Sequence, residues 1–258
     1  MTIDLYQILL LCLAAFCAGF VDAVVGGGGL IQTPAALVIL SAHPVAAAIA
    51  SIKIPSFSGT SVAAIQYIKK VSIRWKLVTA GCTVAFFSAY AGSYLLTRVS
   101  NSFMQPVLLV VLAGVAVYTF LKKDFGQHEA KDHPFNKELW LTCIICLVIG
   151  FYDGFIGPGA GSFLILAFVS VLGLDFLHAS AKAKLVNMAT NLGSITLFLF
   201  KGHIIWMAAI PMAICNAAGG ALGARMAIAR GNRFIRIFFL FVVVATLLRF
   251  TYDIFVKS

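Results

Sequence analysis

Apolar runs broken by short polar turns organise the whole chain. They fall at positions 5–25, 29–41, 45–68, 76–97 and 104–121, and beyond a polar stretch at 139–157, 160–174, 178–200, 204–228 and 234–255. A bilayer hydrocarbon core of about 30 Å takes roughly 20 apolar residues per helix, so the pattern predicts an all-α integral membrane protein. The runs 29–41 and 160–174 are short for a full crossing. Each follows a glycine-rich break, which leaves two readings: re-entrant half-helices, or tilted helices buried in protein.

The two series of runs repeat one another. Gly19-Phe20-Val21-Asp22 matches Gly150-Phe151-Tyr152-Asp153, an offset of 131 residues (150 − 19). The same shift carries Gly26 to Gly157, Gly28 to Gly159, Lys53 to Lys184, Trp75 to Trp206 and Gly92 to Gly223. Chance apolar similarity would not keep Asp, Lys and Trp in step, so the chain reads as an internal duplication. The first transmembrane repeat covers 1–121, a linker 122–138 and the second repeat 139–258, with about four to five segments in each repeat.

Charge orients these repeats. The loop after the third run carries Lys69, Lys70, Arg74 and Lys76, whereas its counterpart around Lys201-Gly202-His203 is poor in positive charge. The next loop behaves oppositely: Arg98 stands nearly alone, and its counterpart holds Arg225, Arg230, Arg233 and Arg236. Cytoplasmic loops collect Lys and Arg, so equivalent loops fall on opposite sides, as in transporters built from inverted repeats. The linker, with Lys122, Lys123, Lys131 and Lys137, then lies in the cytoplasm and both termini lie outside. Met1-Thr2-Ile3-Asp4 lacks the positive region of a signal peptide, so the first run is expected to stay as a membrane segment. Trp75, Trp140 and Trp206 sit near run starts, where indole rings suit the headgroup region. Gly150-x-x-x-Gly154 and Gly219-x-x-x-Gly223 predict close helix contacts.

Composition narrows the function classes. The chain is 61% hydrophobic and 11% charged, with a mean hydropathy of +1.00. A soluble domain carries about 25% charged residues, and this apolar excess cannot be hidden in one core. The net charge of +10 sits in clusters between apolar runs, which fits topology rather than nucleic-acid binding. Six cysteines all lie in apolar runs, where cysteine behaves as a small hydrophobe. Cys143-x-x-Cys146 therefore reads as packing rather than redox chemistry, and no disulfide framework is implied. His128 and His133, among acidic linker residues, read as solvated loop rather than a metal site. Nothing resembles a nucleophile–base–orienter set, so no enzyme, cofactor or metal is expected.

The candidate chemistry comes in symmetric pairs. Asp22 and Asp153 stand in apolar surroundings, where an ionised group is costly. They either cap helices near an interface or act as functional carboxylates that pair with a lysine or take a coupling proton; their symmetry favours the second. Gly26-Gly27-Gly28-Gly29 and Gly157-Pro158-Gly159-Ala160-Gly161 interrupt the runs at equivalent positions. These are either tight turns or unwound breaks whose following helices aim free N–H groups at an anion. Paired interruptions in corresponding halves point to a transporter site. Lys53, Ser56 and Thr60 are mirrored by Lys184, Asn187 and Asn191, at spacings that place each set on one helix face. A cation beside hydroxyl and amide donors suits a desolvated oxyanion; the alternative is a lysine snorkelling to the interface. Lys182 and His178 read as interfacial, because Asp175 precedes them in a loop, and His43 falls in a turn before Pro44.

Gly19-Phe-Val-Asp-Ala-Val-Val-Gly-Gly-Gly-Gly-Leu-Ile and Gly150-Phe-Tyr-Asp-Gly-Phe-Ile-Gly-Pro-Gly-Ala-Gly-Ser resemble the TauE/SafE family. Ala181-Lys-Ala-Lys-Leu-Val-Asn and Gly202-His-Ile-Ile-Trp look closest to its YfcA-like branch. The resemblance covers nearly the whole chain. It implies export of sulfite or movement of organosulfonates and related anions, cargo that would fit two lysines and helix N-termini. The wider family often has a Thr-Ser pair where this chain reads Ser51-Ile52-Lys53, so the resemblance carries the anion class rather than sulfite itself.

The expectation is a multi-pass inner-membrane secondary transporter for a small sulfur-containing anion, working by alternating access. With no ATP-binding motif, a proton or ion gradient is the expected energy source. Lys53 and Lys184 would neutralise the anion, with hydrogen bonds from Ser56, Thr60, Asn187, Asn191 and the glycine backbones. The rivals are a passive anion channel and a transporter of a small carboxylate.

Overall fold

The computed structural model describes residues 3–100 and 134–256. Among them, every regular element is an α-helix. The first half of the chain supplies α1 (Leu5–Val25), α2 (Gly29–Ile39), α3 (Val45–Ile68) and α4 (Trp75–Leu96). The second supplies α5 (Phe135–Phe155), α6 (Ala160–Ser170), α7 (Phe176–Lys201) and α8 (Trp206–Val256), the last broken at Gly231. Helices satisfy their own backbone, which is what a chain embedded in lipid requires. α1, α3, α5 and the part of α8 up to Gly231 are each long and apolar enough to cross a membrane. The run expected at 104–121, and the linker up to residue 133 with His128 and His133, lie outside the described residues. α5 begins at Phe135, inside the stretch read as linker.

Side chains are distributed in the reverse of a soluble protein. Leu9, Leu13, Trp140, Val148, Phe200 and Ile214 face outward, while Gln32, Lys53, Asp153, Lys184, Asn187 and Asn191 are enclosed. An apolar exterior over a polar interior is stable only where the surrounding solvent is lipid.

Both short helices turn back on the helix before them. Gly28 lies against Ala18 and Asp22, and Ala36 and Leu40 share an apolar cluster with Leu11 and Ala15, so α2 runs back beside α1. Its eleven residues span roughly 16 Å, about half the hydrocarbon core. α6 does the same beside α5. Phe163 packs on Tyr152, and farther along the Lys182 Nζ sits over the Phe168 ring while donating to Thr142 near the start of α5.

The long helices pack across the two repeats. α4 and α5 lie parallel, with Gly81 against Thr142 and Cys146, Gly150 against Ala85 and Gly154 against Ala89. α1 and α8 lie parallel in the same way, with Gly219 against Phe16 and Gly223 against Phe20. A Cβ at Gly154 or Gly219 would stand 2.0 Å from the carbonyl oxygen of Ala89 or Phe16, so both motifs make the close contacts their spacing predicts. α3 follows the direction of α1, since Ile52 joins the cluster of Leu11 and Ala15 while the Tyr67 hydroxyl donates to the Ala23 carbonyl. α4 returns, and α5 starts beside the start of α4, where Arg74 pairs with Glu138 at 2.6 Å. The sequence-equivalent helices α1 and α5 therefore begin at opposite ends of the bundle.

Candidate functional site

The two glycine breaks meet each other. Gly26 ends α1 in the left-handed conformation, φ 77°, which a side chain would strain. Its carbonyl accepts the Ser162 N–H at 3.0 Å, and the Val25 carbonyl accepts the Ser162 hydroxyl at 2.8 Å. A Cβ on Gly26 would stand 2.3 Å from the Gly161 backbone, so the contact is backbone on backbone. This docking gathers the C-terminal ends of α1 and α5 and the N-terminal ends of α2 and α6 around one cavity.

α3 and α7 bring their polar faces to the same place, and the charges pair crosswise between repeats. Lys53 Nζ lies 2.9 Å from Asp153 Oδ1 and donates to the Asp153 carbonyl at 2.6 Å. Lys184 Nζ lies 2.9 Å from Asp22 Oδ2 and also donates to the Asp22 carbonyl. Each lysine thus holds the carboxylate of the other repeat and the last-turn carbonyl next to it, a place where cations also meet the negative end of the helix dipole. Neither lysine snorkels to the interface, and neither aspartate serves as an interfacial cap.

The stripe residues complete these pairs. The Thr60 hydroxyl is 3.2 Å from Asp22 Oδ2 and 3.4 Å from Asn187 Oδ1. The Asn187 amide donates to Asp153 Oδ2 at 2.9 Å, and the Thr190 hydroxyl donates to the same oxygen. Asn191 donates to the Asn187 carbonyl at 2.8 Å. Buried charges are tolerated only when paired and hydrogen-bonded, and both carboxylates meet that condition.

Most residues expected at a site reach the cavity wall. Asp22, Lys53, Ser56, Asp153, Asn187 and Asn191 line it, as do Gly26, Gly28, Gly29, Gly157, Gly159 and Gly161. Three do not. Gly27 and Thr60 stand behind the wall, and Lys184 is fully enclosed, so it bears on the cavity only through Asp22. Four polar residues escaped the sequence reading. Gln32, Thr33 and Asn216 line the cavity, and Thr190 supports Asp153. A lone amide in each of two apolar runs was the available signal for Gln32 and Asn216.

One expectation is corrected. Lys182 is not interfacial; it is enclosed, with Nζ 2.9 Å from the Thr142 hydroxyl and over the Phe168 ring. The preceding loop fixes where α7 starts, not which way a residue two turns later points. His178 does stay at the surface, paired with Asp175 at 2.5 Å. The six cysteines are unbridged, with Cys146 packed into the main apolar core. Among the described residues, no group of three or more His, Cys, Asp or Glu side chains converges as a metal would require.

Two lysines and two aspartates leave the paired site formally neutral. An oxyanion can gain a cation here by displacing a carboxylate, and the displaced carboxylate can lose its charge by taking a proton.

The family model described as sulfite exporter TauE/SafE matches residues 11–250. The chain is 31% identical over 243 residues to a probable membrane transporter protein, ORF9, of Sinorhizobium sp, covering 94% of this chain and 92% of the relative. It is 31% identical over 222 residues to the probable membrane transporter protein YfcA of Escherichia coli strain K12, covering 86% and 81%. A probable membrane transporter protein of Haemophilus influenzae is 32% identical over 234 residues, covering 91% and 89%. No solved structure matches the chain.

Proposed function

The chain belongs to the sulfite exporter TauE/SafE family of membrane transporters, and we propose that it carries a small sulfur-containing anion across a bacterial-type inner membrane by gradient-coupled alternating access. The observation that carries this reading is the crosswise pairing of Lys53 with Asp153 and Lys184 with Asp22 beside a cavity capped by two broken helices. An anion such as sulfite, thiosulfate or an organosulfonate enters a neutral site and competes with Asp153 for Lys53. The released carboxylate takes a proton, so a monoanion and one proton move together and the site stays neutral.

The opposite starting ends of α1 and α5 support an inverted repeat, the architecture in which one half rocks against the other around a fixed site. Lys69, Lys70, Arg74, Lys76 and Lys137 gather at the end of the bundle where α4 and α5 begin, which supports a cytoplasmic assignment for that end.

The test is a thermal-shift screen of purified protein with sulfite, thiosulfate, sulfate, sulfonates and carboxylates, followed by uptake into proteoliposomes with and without a pH gradient. A bound anion at 100 times its dissociation constant stabilises the protein by about 2.7 kcal/mol. A sulfur anion is expected to stabilise the parent, with Lys53→Met losing the response and Lys184→Met weakening it through Asp22. Stabilisation by carboxylates alone moves the cargo class elsewhere. Non-saturable flux indifferent to the gradient makes the protein a channel, and intact transport in the double lysine variant overturns the site.

A further inference from the structure

The paired charges obey the repeat; the amides beside them do not. At the offset that relates the repeats, Gln32 corresponds to Phe163 and Asn216 to Ala85, so these two amides have no polar counterpart. Gln32 sits in the first turns of α2 and is 1% exposed. Its Oε1 accepts the Asn216 amide at 3.1 Å and the Ser56 hydroxyl at 3.4 Å. With Oε1 accepting from both groups, the Gln32 NH₂ turns the other way. That Nε2 is buried and has no hydrogen-bond partner.

The arrangement is built to hold Gln32 in this pose. Asn216 is wedged between Gly19 and Gly59, where a Cβ would stand 2.8 Å and 1.9 Å from its Oδ1. Those two glycines let α1 and α3 close on the amide. A buried amide donor left unsatisfied is destabilising, and natural interiors rarely keep one without a use. The unused donor belongs to a cavity-lining residue in the first turn of α2.

We infer that Gln32 Nε2 is a substrate-binding donor, positioned by Asn216 and Ser56, that takes one oxygen of the anion while another oxygen faces Lys53. This deepens the transport reading and rests on it. Because the amide has no polar counterpart, it orients the cargo and selects anions with at least two acceptor oxygens over a monatomic anion.

The experiment measures binding of sulfite, thiosulfate, methanesulfonate and chloride to purified protein by calorimetry, together with the melting temperature of the ligand-free protein. The variants are Gln32→Leu and the paired Gln32→Leu/Asn216→Ala, which removes both amides at once. Loss of a hydrogen bond to a charged ligand is expected to weaken oxyanion binding by about tenfold to hundredfold. Chloride binding is expected to stay unchanged. The paired variant is expected to melt no lower than the parent, since the stranded amide is gone. Oxyanion binding unchanged in a folded variant overturns the role of Gln32 and leaves the transport reading standing. Failure of the parent to bind any of the three oxyanions overturns both.

Discussion

The two crosswise ion pairs have the same lysine–carboxylate separation, 2.9 Å, and different surroundings. In the first, Lys53 and Asp153 both line the cavity. In the second, only Asp22 reaches the wall; its side chain is 17% exposed, while Lys184 is completely enclosed. Two lysines stand at the 131-residue offset, yet the cavity presents one cation and two carboxylates. Under the proposed mechanism the Lys53 pair is therefore the one an anion would open directly, with the Lys184 pair a brace for Asp22.

That contrast predicts unequal damage. Asp22→Ala strands an enclosed ammonium and is expected to destabilise the protein by about 3–5 kcal/mol. Lys184→Met is expected to cost less, because the orphaned carboxylate faces the cavity and can be hydrated. Denaturant unfolding in detergent measures both, and equal losses would break the distinction between brace and binding pair.

The two glycine breaks sharpen it further. Gly157→Ala places a Cβ about 3.2 Å from Lys53 Nζ and the Asp153 carbonyl, at a φ of 93°. Backbone strain of about 1–3 kcal/mol is expected there. Gly26→Ala meets fixed backbone at 2.3 Å as well as a strained φ, so its melting temperature is expected to fall more than that of Gly157→Ala. The reverse order would mean that the tip-to-tip docking of the breaks contributes little. The smallest effect is expected at the surface. His178 and Asp175 are both well exposed, so His178→Gln is expected to change stability by about 0–1 kcal/mol, within the scatter of a melting curve.

The residues that could be read from sequence were those with a twin. Asp22 with Asp153, Lys53 with Lys184 and the two glycine clusters announced themselves because polar or flexible groups recurred at one spacing in apolar surroundings. What the linear pattern did not hold was the partner of each charge. Lys53 pairs 100 positions away with Asp153, and such a pairing depends on how the halves interlock rather than on spacing along either one. Gln32 and Asn216 were passed over for the opposite reason: their counterparts, Phe163 and Ala85, are apolar, so a reading guided by symmetry had nothing to match. The helices were legible because hydrophobic length is set by the bilayer, whereas the reversal of α2 and α6 rests on contacts with Ala18 and Tyr152 that length alone does not encode.

The interlocked packing has a consequence for biogenesis. α1 rests on α8, α4 rests on α5, and Asp22 and Lys53 find their ion-pair partners on α7 and α5. During synthesis the early helices enter the membrane before any of those partners exist. The nascent first half therefore lacks the ion-pair partners that Asp22 and Lys53 have in the finished chain, and its glycine-edged faces are still open.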